Sequence, residues 1–201
     1  MSVTPVTRSL IIACFAGFGL QWLLGDGALL QFALWPAGGG LSAPTFQPWQ
    51  LVTYAFLHGG LTHLLFNMFA LYMFGPEIER LLGPRRFLTY YLVCVICAAV
   101  TQLYVQGMIG GPPVPTVGAS GGIFGLLLAY GLAFPHRRLM LIFPPIPMPA
   151  WLFVTLYGLL ELYLGFAQGG ASDVAHFAHL GGMAGGLLLI FYWRSQRGRP
   201  R

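Results

Sequence analysis

The segment Gly118-Ala119-Ser120-Gly121-Gly122-Ile123-Phe124-Gly125 decides the fold prediction, because it joins irregular backbone to an apolar helix. Residues 110–115, just before it, are Gly-Gly-Pro-Pro-Val-Pro, and proline excludes helix there by fixing its own φ and restricting the preceding residue. The apolar run that follows, 123–134, predicts a membrane helix. Ser120 is therefore expected at a helix N-terminus, where unpaired N–H groups and the helix dipole favour a developing anion. For this segment alone, glycine-rich packing between membrane helices is an equally good interpretation.

The composition indicates a multi-span membrane protein. Of 201 residues, 57% are hydrophobic and only 7% are charged, more apolar surface than a soluble domain needs. Six apolar runs are each close to the ~20 residues that a bilayer core requires. They cover residues 10–24, 61–78, 87–105, 117–134, 148–166 and 174–193, and a short basic tail follows at 194–201. We therefore predict an all-α integral membrane protein, a single domain (1–201) with six transmembrane helices in a compact bundle.

The basic residues predict the orientation. All ten are arginines, and they fall at the N-terminus, after the second span, after the fourth span and in the C-terminal tail. A six-span topology puts these four places on one side, so the positive-inside rule predicts that both termini are cytoplasmic. The net charge of +5 follows from this topology and does not indicate nucleic-acid binding. A cleaved signal peptide is a weaker alternative for the first span, since no small-x-small site follows it.

Histidines enter the second and sixth predicted spans. In the second, His63 and Asn67 lie one turn apart on one face, and His58 precedes the helix. Polar groups inside a membrane are costly and usually functional. This pair of histidines with an asparagine therefore indicates a site.

The sixth span begins near Asp173, a candidate N-cap. His179, Gly182 and Gly186 form one stripe, which predicts close approach to a neighbouring helix. His176 lies one turn before His179, and for a lone histidine at that place a capping or interfacial role is the usual interpretation.

Four of these polar residues share one depth. His63, Asn67, Ser120 and His179 precede the first inner arginine of their spans by 17, 13, 17 and 15 residues. At ~1.5 Å per residue they lie roughly 20–26 Å above the inner side of a core that is ~30 Å thick. Irregular backbone at that depth must be buried in protein or line a wet cavity. We therefore predict a water-accessible pocket that is open to the outside and closed below.

These residue types suit acyl transfer. A serine hydroxyl needs a base, and a neutral histidine is suited to that near pH 7. The Ser120 N–H, the Asn67 amide and the His63 imidazole would stabilise the oxyanion. No acidic residue lies near enough in sequence to be an obvious third member, so a Ser-His dyad is the minimal interpretation. Glu161, the one carboxylate deep in an apolar run, either faces the bundle or is protonated, and the sequence assigns it no role.

With these motifs in place, the chain resembles the rhomboid family of intramembrane serine proteases from about residue 49 to the end of the sixth span. The matching motifs are Gly118-Ala119-Ser120-Gly121, His58-x4-His63-x3-Asn67, and Ala178-His179-Leu180-Gly181-Gly182 with Gly186. The resemblance implies a nucleophile at Ser120, a base at His179 and an oxyanion hole that includes His63 and Asn67. The residues that it implies to support the site are His58, Gly118, Gly121, Phe124, Gly182 and Gly186. Glu79 with Gly83 also matches a Glu-x3-Gly that often follows the second span, and a structural role is expected for Glu79 rather than an ion pair with a neighbouring arginine.

The sequence departs from the family at three places. Phe124 stands where some members have a tyrosine under the catalytic histidine, so the ring is kept without its hydroxyl. Gln50 follows Trp49 where some have arginine, which concerns loop anchoring. A second histidine, His176, competes with His179 for the role of base, and the spacing to Gly182 favours His179.

The resemblance implies that the protein cleaves transmembrane segments of single-span or multi-span membrane proteins near their outer ends, through an acyl-enzyme. We expect it in a bacterial inner (plasma) membrane, with the active site opening to the outer side. No cofactor, metal or nucleic acid is expected, and the sequence leaves the oligomeric state open.

Two other classes remain open. One is a rhomboid-like binding protein that recognises spans without cutting them; an intact Ser120, His179 and Asn67 argue against it. The other is a metal or haem protein using His58, His63, His176 and His179, which lacks the carboxylate or cysteine ligands that most such sites have.

Overall fold

The structure, a computed structural model, describes residues 2–36, 44–110, 113–141, 145–167 and 175–197. It is mostly helical. In chain order the helices are α1 (Pro5–Leu24), α2 (Asp26–Leu29), α3 (Gln50–Thr53), α4 (Leu61–Leu82), α5 (Pro84–Ile109), α6 (Ser120–Ala133), α7 (Ala150–Ala167) and α8 (His176–Arg197), with single 3-10 turns at Leu30–Phe32 and Tyr54–Phe56. Asp173, the candidate cap of the last helix, and residues 198–201 of the basic tail lie outside the described residues.

Each predicted apolar run lies on one long helix, and the ends differ by up to five residues. At the junction of α4 and α5, a glycine and a proline mark the helix ends, which hydropathy alone does not show. Pro84 opens α5 at its first turn, where a missing N–H costs nothing. Gly83 ends α4 with φ of +79°, a backbone angle that favours glycine and allows an abrupt turn into α5.

Several of the long helices are apolar enough for a bilayer. By length and hydropathy α1, α5 and α7 can each span a membrane, and α6 is apolar but has only 14 residues. A helical membrane bundle is therefore supported. That six helices cross the membrane, with both termini on the inner side, stays a prediction.

A small β-hairpin between α6 and α7 was not predicted. Strand β1 (Arg138–Met140) pairs antiparallel with β2 (Pro147–Pro149), so that Arg138 lies opposite Pro149. Each strand has only three residues, which is too short to show an alternating pattern in the sequence. Two of the three residues of β2 are prolines, and prolines argue against a strand. The all-α prediction is therefore incomplete at this loop.

Helix α6 lies at the centre of the bundle. Ten of its 14 residues are buried, and it packs against α4, α5, α7 and α8. Its approach to α8 depends on Gly182, because a Cβ there would overlap the carbonyl of Gly121. The residue that begins α6, Ser120, is therefore held by a helix enclosed on several sides.

The N-terminus of α1 is capped by a carboxylate from α4. Glu79 accepts hydrogen bonds from the backbone N–H groups of Val6 (2.9 Å) and Thr7 (2.8 Å) and from the hydroxyls of Thr4 and Thr7. A carboxylate stabilises a helix N-terminus by accepting from its unpaired N–H groups and by its charge. Glu79 thus has the structural role that was expected of it.

Glu77 forms the ion pairs at this end of the bundle. Its carboxylate lies 3.3 Å from Arg80 Nη1 and 2.9 Å from Arg137 Nη1, which joins the end of α4 to the segment after α6. Arg80 also donates to the carbonyl of Ser2. Arg86 also lies over the ring of Trp193, near the end of α8. Arginines from two of the four basic places, after the second and the fourth predicted spans, therefore contact residues at this end of the bundle.

Gln50 anchors the long loop between α1 and α4. Its side chain is fully buried, accepts from the backbone N–H groups of Trp35 and Gln47 (both 3.2 Å), and donates to the carbonyl of Gln31 (2.9 Å). A glutamine thus ties together the loop at the position where some family members have arginine.

Candidate active site

Ser120 is the first residue of α6, as expected from the glycine- and proline-rich approach. The described residues before it, 113–119, are non-helical, and Thr116 pairs with Leu34 of the outer loop in an isolated β-bridge. The N–H of Gly118 donates to the carbonyl of Tyr54 (3.0 Å), and its φ of +124° favours glycine. Two backbone contacts therefore hold the segment just before Ser120 in place.

The hydroxyl of Ser120 meets His179 of α8. The distance from Oγ to Nε2 is 2.8 Å, a hydrogen bond between residues 59 positions apart in the chain. Ser120 is half-buried, whereas His179 is only 7% exposed. The arrangement places a serine beside a fixed histidine at a helix N-terminus.

Phe124 holds the imidazole of His179 from one face. The two rings are stacked, with centroids 4.1 Å apart and planes 6° apart, and Phe124 also stacks with Tyr157 of α7, with 5.3 Å between centroids. Stacking restricts the rotation of the imidazole about its side-chain bonds. The ring of Phe124 therefore supports His179 without a hydroxyl group.

Glu161 is the residue that sequence analysis left without a role. Its Oε2 lies 2.8 Å from Nδ1 of His179 and 2.7 Å from Nδ1 of His176, and its side chain is buried. The carboxylate, the imidazole of His179 and the hydroxyl of Ser120 thus form one continuous hydrogen-bonded line. The signal that could have found it was present: a lone carboxylate deep in an apolar helix is costly and needs a partner.

His176 begins α8 and is buried, with 6% exposure. Its ring is perpendicular to that of His179, at 6.4 Å between centroids, and both meet the same carboxylate oxygen. The structure gives His176 a contact with Glu161 that the capping or interfacial interpretation did not include. Of the two histidines, His179 is the one whose bond to Ser120 is described.

His63 of α4 lies beside the segment that leads into Ser120. A Cβ added to Gly118 would come within 2.8 Å of Cε1 and 2.9 Å of Nε2 of its ring, so this edge of His63 lies against the backbone just before Ser120. The N–H of Gly59 donates to Nδ1 of His63 (3.3 Å), which makes Nδ1 an acceptor. The neutral ring then carries its proton on Nε2, the nitrogen that faces the serine loop.

Asn67 follows His63 by one turn of α4 and is buried. Its amide Nδ2 donates to the carbonyl of His63 (2.8 Å), a bond within its own helix. The amide nitrogen carries two hydrogens, so this bond uses one of them. The structure therefore brings Ser120, His179 and His63 together, with Asn67 one turn away from the His63 position.

His58 lies behind His63, edge to face, with 5.2 Å between ring centroids. Gln21 of α1 holds its backbone, accepting from the N–H (2.9 Å) and donating to the carbonyl (3.1 Å). Neither ring nitrogen has a partner that meets hydrogen-bond geometry among the described residues. Burial and the nearby His63 lower the pKa of His58 to about 4, against a smaller opposing effect of the Phe56 carbonyl, so this ring is neutral at pH 7.

The remaining site-supporting glycines bring helices together. A Cβ at Gly121 would overlap Ala98 of α5, and one at Gly186 would overlap the hydroxyl of Tyr90. That hydroxyl donates to the carbonyl of Gly125 in α6 (2.8 Å). The glycine stripe of α8 therefore acts through close packing with α5 and α6.

Glu161, His176 and His179 also form a group that could hold a metal ion, with three ligand-type atoms within 4.8 Å of one another. Two histidines and one carboxylate are a donor set that zinc accepts. Among the described residues, this group does not include His58 or His63, so the four-histidine alternative is not supported. The predicted water-accessible pocket stays a prediction.

Comparisons with known proteins agree with these motifs. A family model described as "Rhomboid domain" matches residues 45–196. "Rhomboid protease GlpG" of Yersinia pestis (strain Pestoides F) is 29% identical over 192 residues, which cover 94% of this chain and 62% of that relative. "Rhomboid protease GlpG" of Yersinia enterocolitica serotype O:8 / biotype 1B is 28% identical with the same coverage. The chain thus spans about 62% of the length of these curated relatives.

Proposed function

Because the chain belongs to the rhomboid family, we propose that it is an intramembrane serine protease that cleaves transmembrane segments of other membrane proteins. The single observation that carries the proposal is the 2.8 Å hydrogen bond between Ser120 Oγ and His179 Nε2 at the N-terminus of α6. A serine hydroxyl that bonds the nitrogen of a fixed imidazole is the arrangement needed for nucleophilic acyl transfer.

The reaction then proceeds in two stages. Nε2 of His179 accepts the hydroxyl proton as Ser120 Oγ attacks the scissile carbonyl, and a tetrahedral intermediate forms. The same nitrogen returns the proton to the leaving amine, which departs and leaves an acyl-enzyme on Ser120. Water, activated by the same imidazole, hydrolyses the ester and restores the free serine.

The oxyanion is stabilised from the N-terminal side of α6 and from α4. The N–H of Ser120 is one of the unpaired donors at the start of the helix, where the dipole also favours negative charge. His63 supplies Nε2–H, since its Nδ1 accepts from Gly59. Asn67 supplies its second amide hydrogen once the oxyanion is present. Fixed donors of this kind stabilise the transition state more than the ground state.

The membrane topology belongs to the same proposal. Six helices, α1, α4, α5, α6, α7 and α8, cross the bilayer of a bacterial inner membrane with both termini inside. The ion pairs of Glu77 with Arg80 and Arg137 support an inner end common to α4 and α6. Ser120, at the opposite end of α6 from Arg137, then faces the outer side.

The substrates are single-span or multi-span membrane proteins, cut near the outer ends of their spans. A helix shields its amide bonds by its own hydrogen bonding, so a substrate must unwind locally before Ser120 can attack. Small or helix-breaking residues near the scissile bond are therefore preferred. The chemistry uses no cofactor.

The test is cleavage by purified protein in liposomes. Single-span substrates with a Gly-rich or a Leu-rich outer end would be compared, and the products would be identified by mass spectrometry. We expect cleavage of the Gly-rich substrate and loss of cleavage in Ser120→Ala. Ser195→Ala is the matched control, because Ser195 is exposed in the last helix and bonds only the carbonyl of Tyr192 among its described contacts. Full activity of Ser120→Ala would overturn the proposal.

A further inference from the structure

We infer that Glu161 is a positioning residue that turns the Ser120–His179 pair into a three-member Ser-His-Glu line, with His176 holding the carboxylate in place. This inference rests on the proposed protease function and adds a residue that neither the motifs nor the comparisons assign. It begins from three contacts: Ser120 Oγ to His179 Nε2 (2.8 Å), His179 Nδ1 to Glu161 Oε2 (2.8 Å) and His176 Nδ1 to Glu161 Oε2 (2.7 Å).

The first step concerns the protons. Both histidines meet the same oxygen, Oε2 of Glu161. A protonated Oε2 could donate to only one of the two nitrogens, whereas an ionised carboxylate accepts from both. The arrangement satisfies all three groups when Glu161 is ionised and both Nδ1 atoms carry hydrogen. His179 then has its lone pair on Nε2, which faces Ser120, and this is the tautomer that a general base requires.

The second step concerns charge. When His179 takes the proton from Ser120 it becomes an imidazolium in a site where its side chain is 9% exposed. A cation in such surroundings is costly unless an opposite charge lies close by. Glu161 supplies that charge at hydrogen-bond distance from the far nitrogen of the ring. The proton moves only between Oγ and Nε2; Nδ1 keeps its hydrogen, and the carboxylate is never protonated in the cycle.

The third step explains His176. Glu161 is 5% exposed and lies on α7, where the other buried residues are Ala150, Val154 and Gly165. A carboxylate with a single partner in that place would be poorly compensated. His176 provides a second charge-assisted hydrogen bond and fixes which way the carboxylate points. His176 therefore acts on Glu161, and Glu161 acts on His179.

A purely structural role is the rival explanation, because the same bonds also tie α7 to α8. That role predicts lower stability, with normal turnover in the molecules that remain folded. A positioning role predicts a lower kcat with an unchanged KM, since Glu161 contacts the base and not the substrate. The two roles are therefore separated by kinetics measured on folded protein together with the melting temperature.

The experiment compares Glu161→Gln, Glu161→Asp and the control Val154→Ala in the purified protein. Gln is the same shape without the charge, and we expect kcat to fall by at least tenfold and up to ~10⁴-fold, the loss known for a triad acid made neutral. Asp keeps the charge on a shorter arm and should recover part of that loss. Val154→Ala opens space on the same helix, away from the line, and should lower the melting temperature while kcat stays normal. Glu161→Gln with the kcat of the wild type would overturn the inference, even if proteolysis itself is established.

A second readout does not depend on cleavage. In protein labelled with nitrogen-15 histidine, the NMR signals of His179 would be assigned by comparison with His179→Ala. We expect these signals to be those of the Nδ1–H tautomer in the wild type and to change in Glu161→Gln. An Nε2–H tautomer in the wild type would overturn the inference. If the expected tautomer is found but the wild type cleaves no substrate, the proposed function fails while the positioning of His179 by Glu161 stands.

Discussion

The ring of Phe124 lies parallel to the imidazole of His179, with 4.1 Å between centroids and 6° between planes. This contact fixes the plane of the imidazole, while Ser120 and Glu161 each hold one of its nitrogens. The imidazole of His179 is thus constrained through its face and both of its nitrogens, and loss of the Phe124 ring should loosen its orientation.

Phe124→Ala should therefore lower kcat more than it raises KM. Without the ring, the imidazole can rotate away from Ser120, and a misplacement of about 1 Å can cost ~10²-fold in rate. Phe124→Tyr keeps the stacking surface and should retain most of the activity. Both constants would be measured in detergent with one model substrate. Equal kcat in the Ala variant and the wild type would show that the stacking does not constrain the base.

The choice of base is tested by the two histidines of α8. His179→Ala should be as inactive as Ser120→Ala, and the double variant should be no worse, because residues that act as one unit are non-additive. His176→Ala should keep much of the activity, because the described hydrogen bond of the His176 ring is to Glu161 and not to Ser120. An inactive His176→Ala beside an active His179→Ala would transfer the role of base to His176.

The parts of the site that depend on local sequence patterns could be predicted from the sequence. The start of α6 at Ser120 follows from proline before it and an apolar run after it, and the direction of His179 follows from its glycine stripe. Glu161 was not assigned because its partner depends on how α7 is rotated against α8, and an apolar helix of this kind has no polar face that fixes its rotation. The hairpin of β1 and β2 was not predicted because strands of three residues are too short to show the apolar/polar alternation of a strand.

Metal removal tests whether the Glu161, His176 and His179 cluster is a hydrogen-bonded line or a metal site. We expect chelators to leave the rate of cleavage unchanged and elemental analysis to find no stoichiometric metal, because both Nδ1 atoms already bond the carboxylate oxygen. Stoichiometric zinc that is lost in His176→Ala, with loss of activity on chelation, would make the cluster a metal centre.

The buried ring of His58 predicts an acid-sensitive part of the stability. Its pKa is about 4 in the folded protein, lowered by burial and by His63, against an ordinary value of 6.5. The unfolded chain therefore binds the proton more readily, so this contribution is complete above pH 6.5 and is lost as the pH falls towards 4. The melting temperature in detergent should fall over that range. The fall should be smaller in His58→Phe, and an identical slope in the two proteins would contradict the assignment.

Asn67 tests the oxyanion hole. Its amide already donates to the carbonyl of His63 in its own helix, so its second hydrogen is the one available to the reaction. If that hydrogen stabilises the tetrahedral intermediate, Asn67→Ala should lower kcat by ~10²–10³-fold, or ~2.7–4 kcal/mol, with little change in KM. If Asn67 only supports its own helix through this bond, the loss should appear as a lower melting temperature while kcat stays normal.

Thr62→Ala is a matched control for the Asn67 experiment, because Thr62 is an exposed polar residue in the same first turns of α4. Its kcat and melting temperature should both stay close to those of the wild type. An Asn67→Ala protein that is destabilised but turns over normally would make Asn67 structural. The oxyanion would then depend on the N–H of Ser120 and on Nε2–H of His63, whose neighbouring Nδ1 is held as an acceptor by the Gly59 N–H.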